Sequence, residues 1–378
     1  MTAFSMLPSR LSILAGGVGL FALVACGESE KSLPTCPEGA LFTELPFELE
    51  RMDHVVPLGQ LNPPGHTIPT AHMYWNVKDP GSAPTPLRAP AKAVIRGVKR
   101  SEFSAAHDDY AIRLEVCDGL EITYSHVTAL SPALAAEIDD YKCDPPREIA
   151  DGTVTDCHAR LSLEVEAGAE LGTIGDAEHV MGVDFGVVDE RVNNKFVNAK
   201  RHAHLRHIAS AFDYFTEERK AEVAPYLGFW DGARRTALPL GGQFAYDVAG
   251  SARGSWYRVD GTTAFDDDYA IAMVPDFIFP HLMAFSIANV GTPEDAKVLF
   301  FDPLEAGKVR RPFEEVVAGA GVHCVDALHY DRELTAPSPY AVLLEVLEGE
   351  ALSFAMIEGP CGEGPYVMEP SARIEMER

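Results

Sequence analysis

The sequence predicts a mainly β protein in two β-rich parts joined by a helical connector. Three observations carry this. Short runs of alternating apolar and polar residues recur from 41 to 192, divided by Gly and Pro. Residues 199–226 switch to cationic and amphipathic stretches with a helical look. From about 235 a second set of β-type runs begins, with no internal repeat and no low-complexity tract. The expected organisation is a leader over 1–25, a tether over 26–40, a first β domain over 41–198, the connector over 199–234 and a β-rich C-terminal domain over 235–378.

Each element follows from its residues. Ala93–Val98 reads as a strand with a turn, and Tyr110–Val116 alternates like a half-buried strand. Asp118-Gly119 is a hairpin signal, with Leu120–Tyr124 as the return strand. Residues 131–157 form a polar, Pro-containing insertion, partly helical at Ala133–Asp139. Leu161–Val165, Leu171–Gly175 and Val183–Val187 complete the first set. In the connector, Ala199–His207 and Phe212–Tyr226 look helical. The C-terminal strands are expected at Tyr269–Val274, Leu282–Ile287, Lys297–Phe301, Tyr340–Leu347 and Leu352–Ile357.

The leader narrows the compartment. An apolar run, Leu11–Ala25, follows a short N-terminus whose one charge is Arg10, as in a secretory signal. Its Gly16, Gly17 and Gly19 and its length suit a membrane span of about 20 residues poorly. Leu23-Val24-Ala25-Cys26 resembles the lipobox of bacterial lipoproteins, which implies lipidation of Cys26 and a membrane anchor in the cell envelope. Gly27, rather than Asp, points by the same resemblance to the outer membrane. The polar tether after Cys26 has a reach on the order of 20 Å.

The chain has 378 residues, enough for one large or two ordinary domains. It carries 31 basic and 57 acidic side chains, a net charge of −26. That excludes nucleic acid and anionic headgroups as electrostatic partners. Of seven cysteines, Cys26 is assigned to lipid, and six in an exported chain read as disulfides. Six cysteines allow fifteen connectivities. Cys324–Cys361 is the first choice, since both lie far from the rest. Cys143–Cys157 would close a polar loop, and Cys36–Cys117 would staple the tether to a strand. No cysteine spacing suggests structural zinc.

Residues 53–189 carry four motifs in order. Leu87-Arg88-Ala89-Pro90 precedes Ala93–Val98. Tyr110–Val116 leads through Asp118-Gly119 to Tyr124-Ser125-His126. Val165-Glu166-Ala167-Gly168-Ala169-Glu170-Leu171-Gly172 follows, and Gly182-Val183-Asp184 closes the series. This order resembles the β-barrel of lysostaphin-type peptidoglycan metallo-endopeptidases, the duplicated hybrid motif. The resemblance implies a lysostaphin-like barrel or sandwich as the first domain. It places the first zinc motif on His72-Met73-Tyr74-Trp75-Asn76, with Asn76 where the family has aspartate. It places the last motif on Gly182 and Asp184, where the family has two histidines. His126 matches the remaining catalytic histidine.

A hydrolytic zinc needs three protein ligands and an open position. His72, Asn76 and Asp184 make a weak, oxygen-rich set. Pro63-Pro64-Gly65-His66 adds His66 nearby, and His66, His72, His126 and Asp184 could converge in a non-standard site. The expectation is a catalytically degenerate barrel that works without a cofactor and binds peptidoglycan or an envelope protein. The alternative is an active zinc endopeptidase with a remodelled ligand set.

Three further clusters have plainer readings. His202-Ala203-His204-Leu205-Arg206-His207 reads as an exposed cationic helix, with His204 and His207 on one face. Asp247–Trp256 is Gly-rich but lacks a phosphate-loop context, so Asp247 is expected to cap a turn and Trp256 to pack. Asp266-Asp267-Asp268 lacks an EF-hand pattern and reads as a solvated turn.

Overall fold

Alternating side chains become strands where one face can be buried, and the first half of the chain does this repeatedly. A computed structural model describes residues 33–104, 107–149, 152–175, 181–259 and 267–378. The leader, Cys26, the first part of the tether and Asp266 lie outside the described residues.

The first sheet is built from β1 (Met52–Val56), β2 (Met73–Val77), β3 (Ala93–Phe103), β4 (His107–Cys117), β5 (Leu120–Val127), β6 (Gly152–Val165) and β7 (Gly182–Asp189). They pair antiparallel in the order β1-β2-β7-β5-β4-β3-β6. Short pairings at 142–143, 147–149 and 208–209 extend the sheet. Register shifts interrupt β3 between Ile95 and Gly97, and β6 between Arg160 and Leu163. Such bulges bend strands and increase twist, and this sheet curls into a half-barrel.

The inner face follows the two-residue period. Val183, Phe185 and Val187 of β7 point inward, as do Leu120, Ile122 and Tyr124 of β5. Asp184 and Gly186 therefore take the outer face. A small sheet of 85–88, 170–174 and 129–130 adds Leu87, Leu171 and Ile174 to the same core. Phe42, Phe212 and Phe215 close it from turn segments, with Phe42 and Phe215 meeting edge to face at 5.3 Å.

The connector departs from expectation. Residues 199–234 hold one α-helix, Glu217–Val223, capped by Thr216, whose hydroxyl accepts from Arg219 N at 3.3 Å. The rest is 3-10 turns, loop and the short strand pairing at 208–209. No helix spans 199–207, where only Ala203–Leu205 form a 3-10 turn. His202 is only 2% exposed, its ring stacked 4.6 Å from Phe196. The Asn194 amide donates to the Leu205 and Ile208 carbonyls and holds the backbone in a turn. Tertiary hydrogen bonds override the helical pattern here, and the exposed cationic helix is not formed.

The second sheet contains β8 (Gly254–Arg258), β9 (Ala270–Pro275), β10 (Met283–Ile287), β11 (Lys297–Phe301), β12 (His323–Val325), β13 (Tyr340–Leu347), β14 (Ala351–Glu358) and β15 (Ile374–Glu377). Its order is β11-β10-β9-β8-β15-β14-β13-β12. β9 and β10 are buried on both faces, which is why they read as near-unbroken apolar runs. Trp256, Phe285, Phe301, Phe313 and Phe354 fill its core. Asp247 fixes the entry to β8, accepting from Ser255 N at 3.1 Å and from Val197 N at 3.2 Å.

The six cysteines pair as Cys36–Cys117, Cys143–Cys157 and Cys324–Cys361. A buried ion pair joins the second sheet to the connector. Asp276, fully buried, accepts from Arg332 Nε at 3.0 Å and from Ile278 N and Phe279 N. The Arg332 guanidinium lies 4.4 Å from the Phe229 ring centroid and donates to Asp231 at 3.1 Å.

Candidate functional site

The outer face of β7 brings together residues from four parts of the chain. β7 lies between β2 and β5, so Asp184 sits opposite both Tyr74 and Ser125. Between Tyr124 and Val127 β5 has one more residue than the facing part of β4. His126 occupies this bulge with φ +64. The bulge breaks the alternation of β5 and turns the His126 ring toward Asp184, a common use of bulges beside sites. Asp109 on β4 lies behind it.

The result is a chain of alternating carboxylates and imidazoles. His126 Nδ1 donates to Asp109 Oδ2 at 2.8 Å, and His126 Nε2 lies 3.3 Å from Asp184 Oδ2. His72 Nε2 lies 3.3 Å from the same Asp184 oxygen on its other approach. That contact lacks hydrogen-bond geometry, so the buried His72 nitrogen has no hydrogen-bond partner among the described residues. The His66 ring meets the His72 ring edge-on at 5.7 Å.

The loop carrying His66 and His72 is pinned by its own backbone. Asn62 and His66 exchange both N–H···O bonds, at 2.8 and 3.0 Å. Thr70 donates to the Gln60 carbonyl through both its N–H and its hydroxyl. Tyr74 packs against His72 at 4.7 Å, and Trp230, 40% exposed, stands 6.3 Å from Tyr74.

These surroundings divide the histidines. The hydrogen bond to Asp109, then that to Asp184, raises His126 from 6.5 to about 10, so it is an imidazolium at neutral pH. Burial lowers His66 and His72 against the pull of Asp184, so both are neutral. Burial, reinforced by Asp184, pushes the Tyr74 phenol far up.

The zinc ligand set implied by the sequence does not assemble. The Asn76 amide is taken by His54 Nε2 at 3.2 Å, and His54 Nδ1 in turn by Asp53 at 2.7 Å. At Gly182 a Cβ would lie 2.1 Å from the Trp75 carbonyl oxygen and 2.7 Å from Asn76 Cα. The backbone therefore has no room for a histidine there. Asp184 is already paired with a cationic His126. Among the described residues no group of three or more His, Cys, Asp or Glu is arranged to hold a metal ion. The residues do not fit a three-ligand hydrolytic zinc.

His66, His72, His126 and Asp184 do converge, while Asn76 is committed elsewhere. Asp109 was not singled out from sequence, although its place two residues before Ala111 on an alternating strand is the signal that could have found it. Nor was Trp230. A cleft of about 220 Å³ adjoins His66 and His72 and is also lined by Arg201, His202, His204 and Tyr257. His66 and His72 thus share one cleft with His202 and His204. No family model, curated protein or solved structure matches the chain.

Proposed function

We propose that this protein is a lipid-anchored lipoprotein of the outer membrane, whose first sheet is a degenerate lysostaphin-like barrel that binds peptidoglycan without cleaving it. Its anchor is Cys26, within the Leu23–Cys26 motif. The barrel reading draws on the four ordered motifs between 87 and 184, and on the way β7 sets Asp184 beside β2 and β5.

The observation that carries the binding reading is His126 held between Asp109 and Asp184. A general base works best with a pKa near the operating pH. An imidazolium fixed by two carboxylates at about 10 cannot take a proton at neutral pH. It orders the groove and offsets the charge of Asp184. Tyr74, opposite Asp184, and Trp230, 6.3 Å from Tyr74, supply an aromatic surface for a sugar or peptide.

The test is sedimentation of the purified full chain with isolated peptidoglycan in excess chelator. Co-sedimentation with no release of soluble fragments is expected. Failure to sediment overturns the reading. The buried Nε2 of His72, without a hydrogen-bond partner among the described residues, favours a second reading, a metal-dependent endopeptidase. Stoichiometric metal in the purified protein, with chelator-sensitive release of fragments, establishes that one instead.

A further inference from the structure

We infer that the cleft across β3, β4, β5 and β6, beside the histidine–carboxylate network, is a subsite for a carboxylate group of an extended peptide ligand. This rests on the peptidoglycan-binding reading and specifies which part of the polymer is held.

The cleft has a volume of about 500 Å³. Its floor is Gly97, Ala111, Thr123 and Ser125, one small residue after another across three adjacent strands. Small side chains let a ligand backbone approach the sheet. Its walls carry Arg96, Lys99, Arg113 and Arg160. Four basic side chains in one cleft run against a chain whose net charge is −26. Ser125 links the cleft to the site, because it pairs with Asp184 and precedes His126. A ligand lying along this floor therefore reaches the network at one end.

The cations differ in how far the protein already uses them. Arg96 is held by Glu115 at 2.5 Å and by Ser162. Lys99 lies 3.7 Å from Asp156. Arg113 reaches Glu121 only at 3.4 Å and is half-exposed. Arg160 is exposed on β6 and has no ion pair or side-chain hydrogen bond among the described residues. The bulges at Arg96 and after Arg160 face one another across the β3–β6 pairing. Guanidinium forks match carboxylates through paired N–H···O bonds, so Arg113 and Arg160 are the residues that would hold the anion.

Three forms of the full chain separate the possibilities: the wild type, an Arg113→Glu/Arg160→Glu variant and an Arg113→Lys/Arg160→Lys variant. Each is titrated calorimetrically with N-acetyl-trialanine bearing a free C-terminal carboxylate, with the same peptide as its C-terminal amide, and with inorganic phosphate. The wild type is expected to bind the acid about tenfold more tightly than the amide, the scale of one charge-assisted contact. The double Glu variant should lose that preference and keep the wild-type melting temperature, while the double Lys variant should retain part of it. Equal binding of acid and amide by the wild type overturns the inference. So does an unchanged preference in the double Glu variant, or phosphate competing as well as the acid. Sedimentation with peptidoglycan that survives any of these results leaves the binding reading standing without the subsite. Loss of wild-type sedimentation removes both.

Discussion

Gly182 and Trp75 lie so close that a methyl group on the glycine would overlap the tryptophan carbonyl oxygen, at 2.1 Å. The β2–β7 contact leaves space for hydrogen at this point and nothing larger. Gly182→His should therefore fail to rebuild a histidine pair. Overpacking of this kind costs about 1–3 kcal/mol. Urea unfolding is expected to show that loss, and incubation with peptidoglycan to release no fragments. A Gly182→His chain as stable as the wild type contradicts the close contact.

The backbone at His126 gives a cleaner comparison. Left-handed φ costs an ordinary L-residue roughly 1–2 kcal/mol, and glycine almost nothing. His126→Ala and His126→Gly lose the same ion pairs, yet only alanine keeps the strain of φ +64. The glycine variant should be the more stable by about 1 kcal/mol in denaturant titration. Equal stabilities remove the bulge from the account of how His126 is aimed.

Charge at His126 also gives stability a pH signature. Its folded value, about 10, lies above its ordinary 6.5. The ion pairs therefore stabilise fully below pH 6.5, less as pH rises from there, and not at all above about 10. The stability gap between wild type and His126→Gln should narrow steadily across that range. A gap that is flat from pH 6 to pH 10 shows a neutral His126.

Asp276 and Arg332 are the buried pair most exposed to mutation. Asp276→Ala would leave a guanidinium among the Phe229, Phe277 and Phe300 rings with Asp231 as its remaining carboxylate. Removing one member of a buried pair costs about 3–5 kcal/mol. Because Phe229 adjoins Trp230, tryptophan fluorescence should shift in the same variant. Asp276→Ala combined with Arg332→Met should recover much of the stability. No recovery would mean that the backbone N–H groups bound by Asp276 dominate.

Gly186 probes the groove directly. A Cβ there meets nothing nearer than 3.7 Å, so Gly186→Ala fits. Gly186→Leu projects over His72 and Thr123. Alanine should leave sedimentation with peptidoglycan intact, and leucine should weaken it about tenfold, a loss of 1.4 kcal/mol. Full binding by the leucine variant moves the ligand off this face.

Much of the fold was legible because its strands obey simple periods. β11 and β13 run where their apolar patterns put them, and β9 and β10 start one residue later than expected. β1, β2, β8, β12 and β15 were missed. Each is short, and each is defined by its neighbour rather than by its own residues. The connector misled for the opposite reason: His202 carries a helical pattern but is worth more stacked on Phe196. At the site, His66, His72, His126 and Asp184 were legible as residue types. The bulge that aims His126, and the capture of Asn76 by His54, depend on cross-strand register, which no local pattern encodes.

A histidine clamped between two carboxylates is a cation that no chelator can strip and no competing ion can exchange. Asp184 has its counter-charge written into the polypeptide. On the proposed binding reading the groove needs nothing beyond the folded chain, so zinc scarcity that silences a metallohydrolase would leave it unaffected.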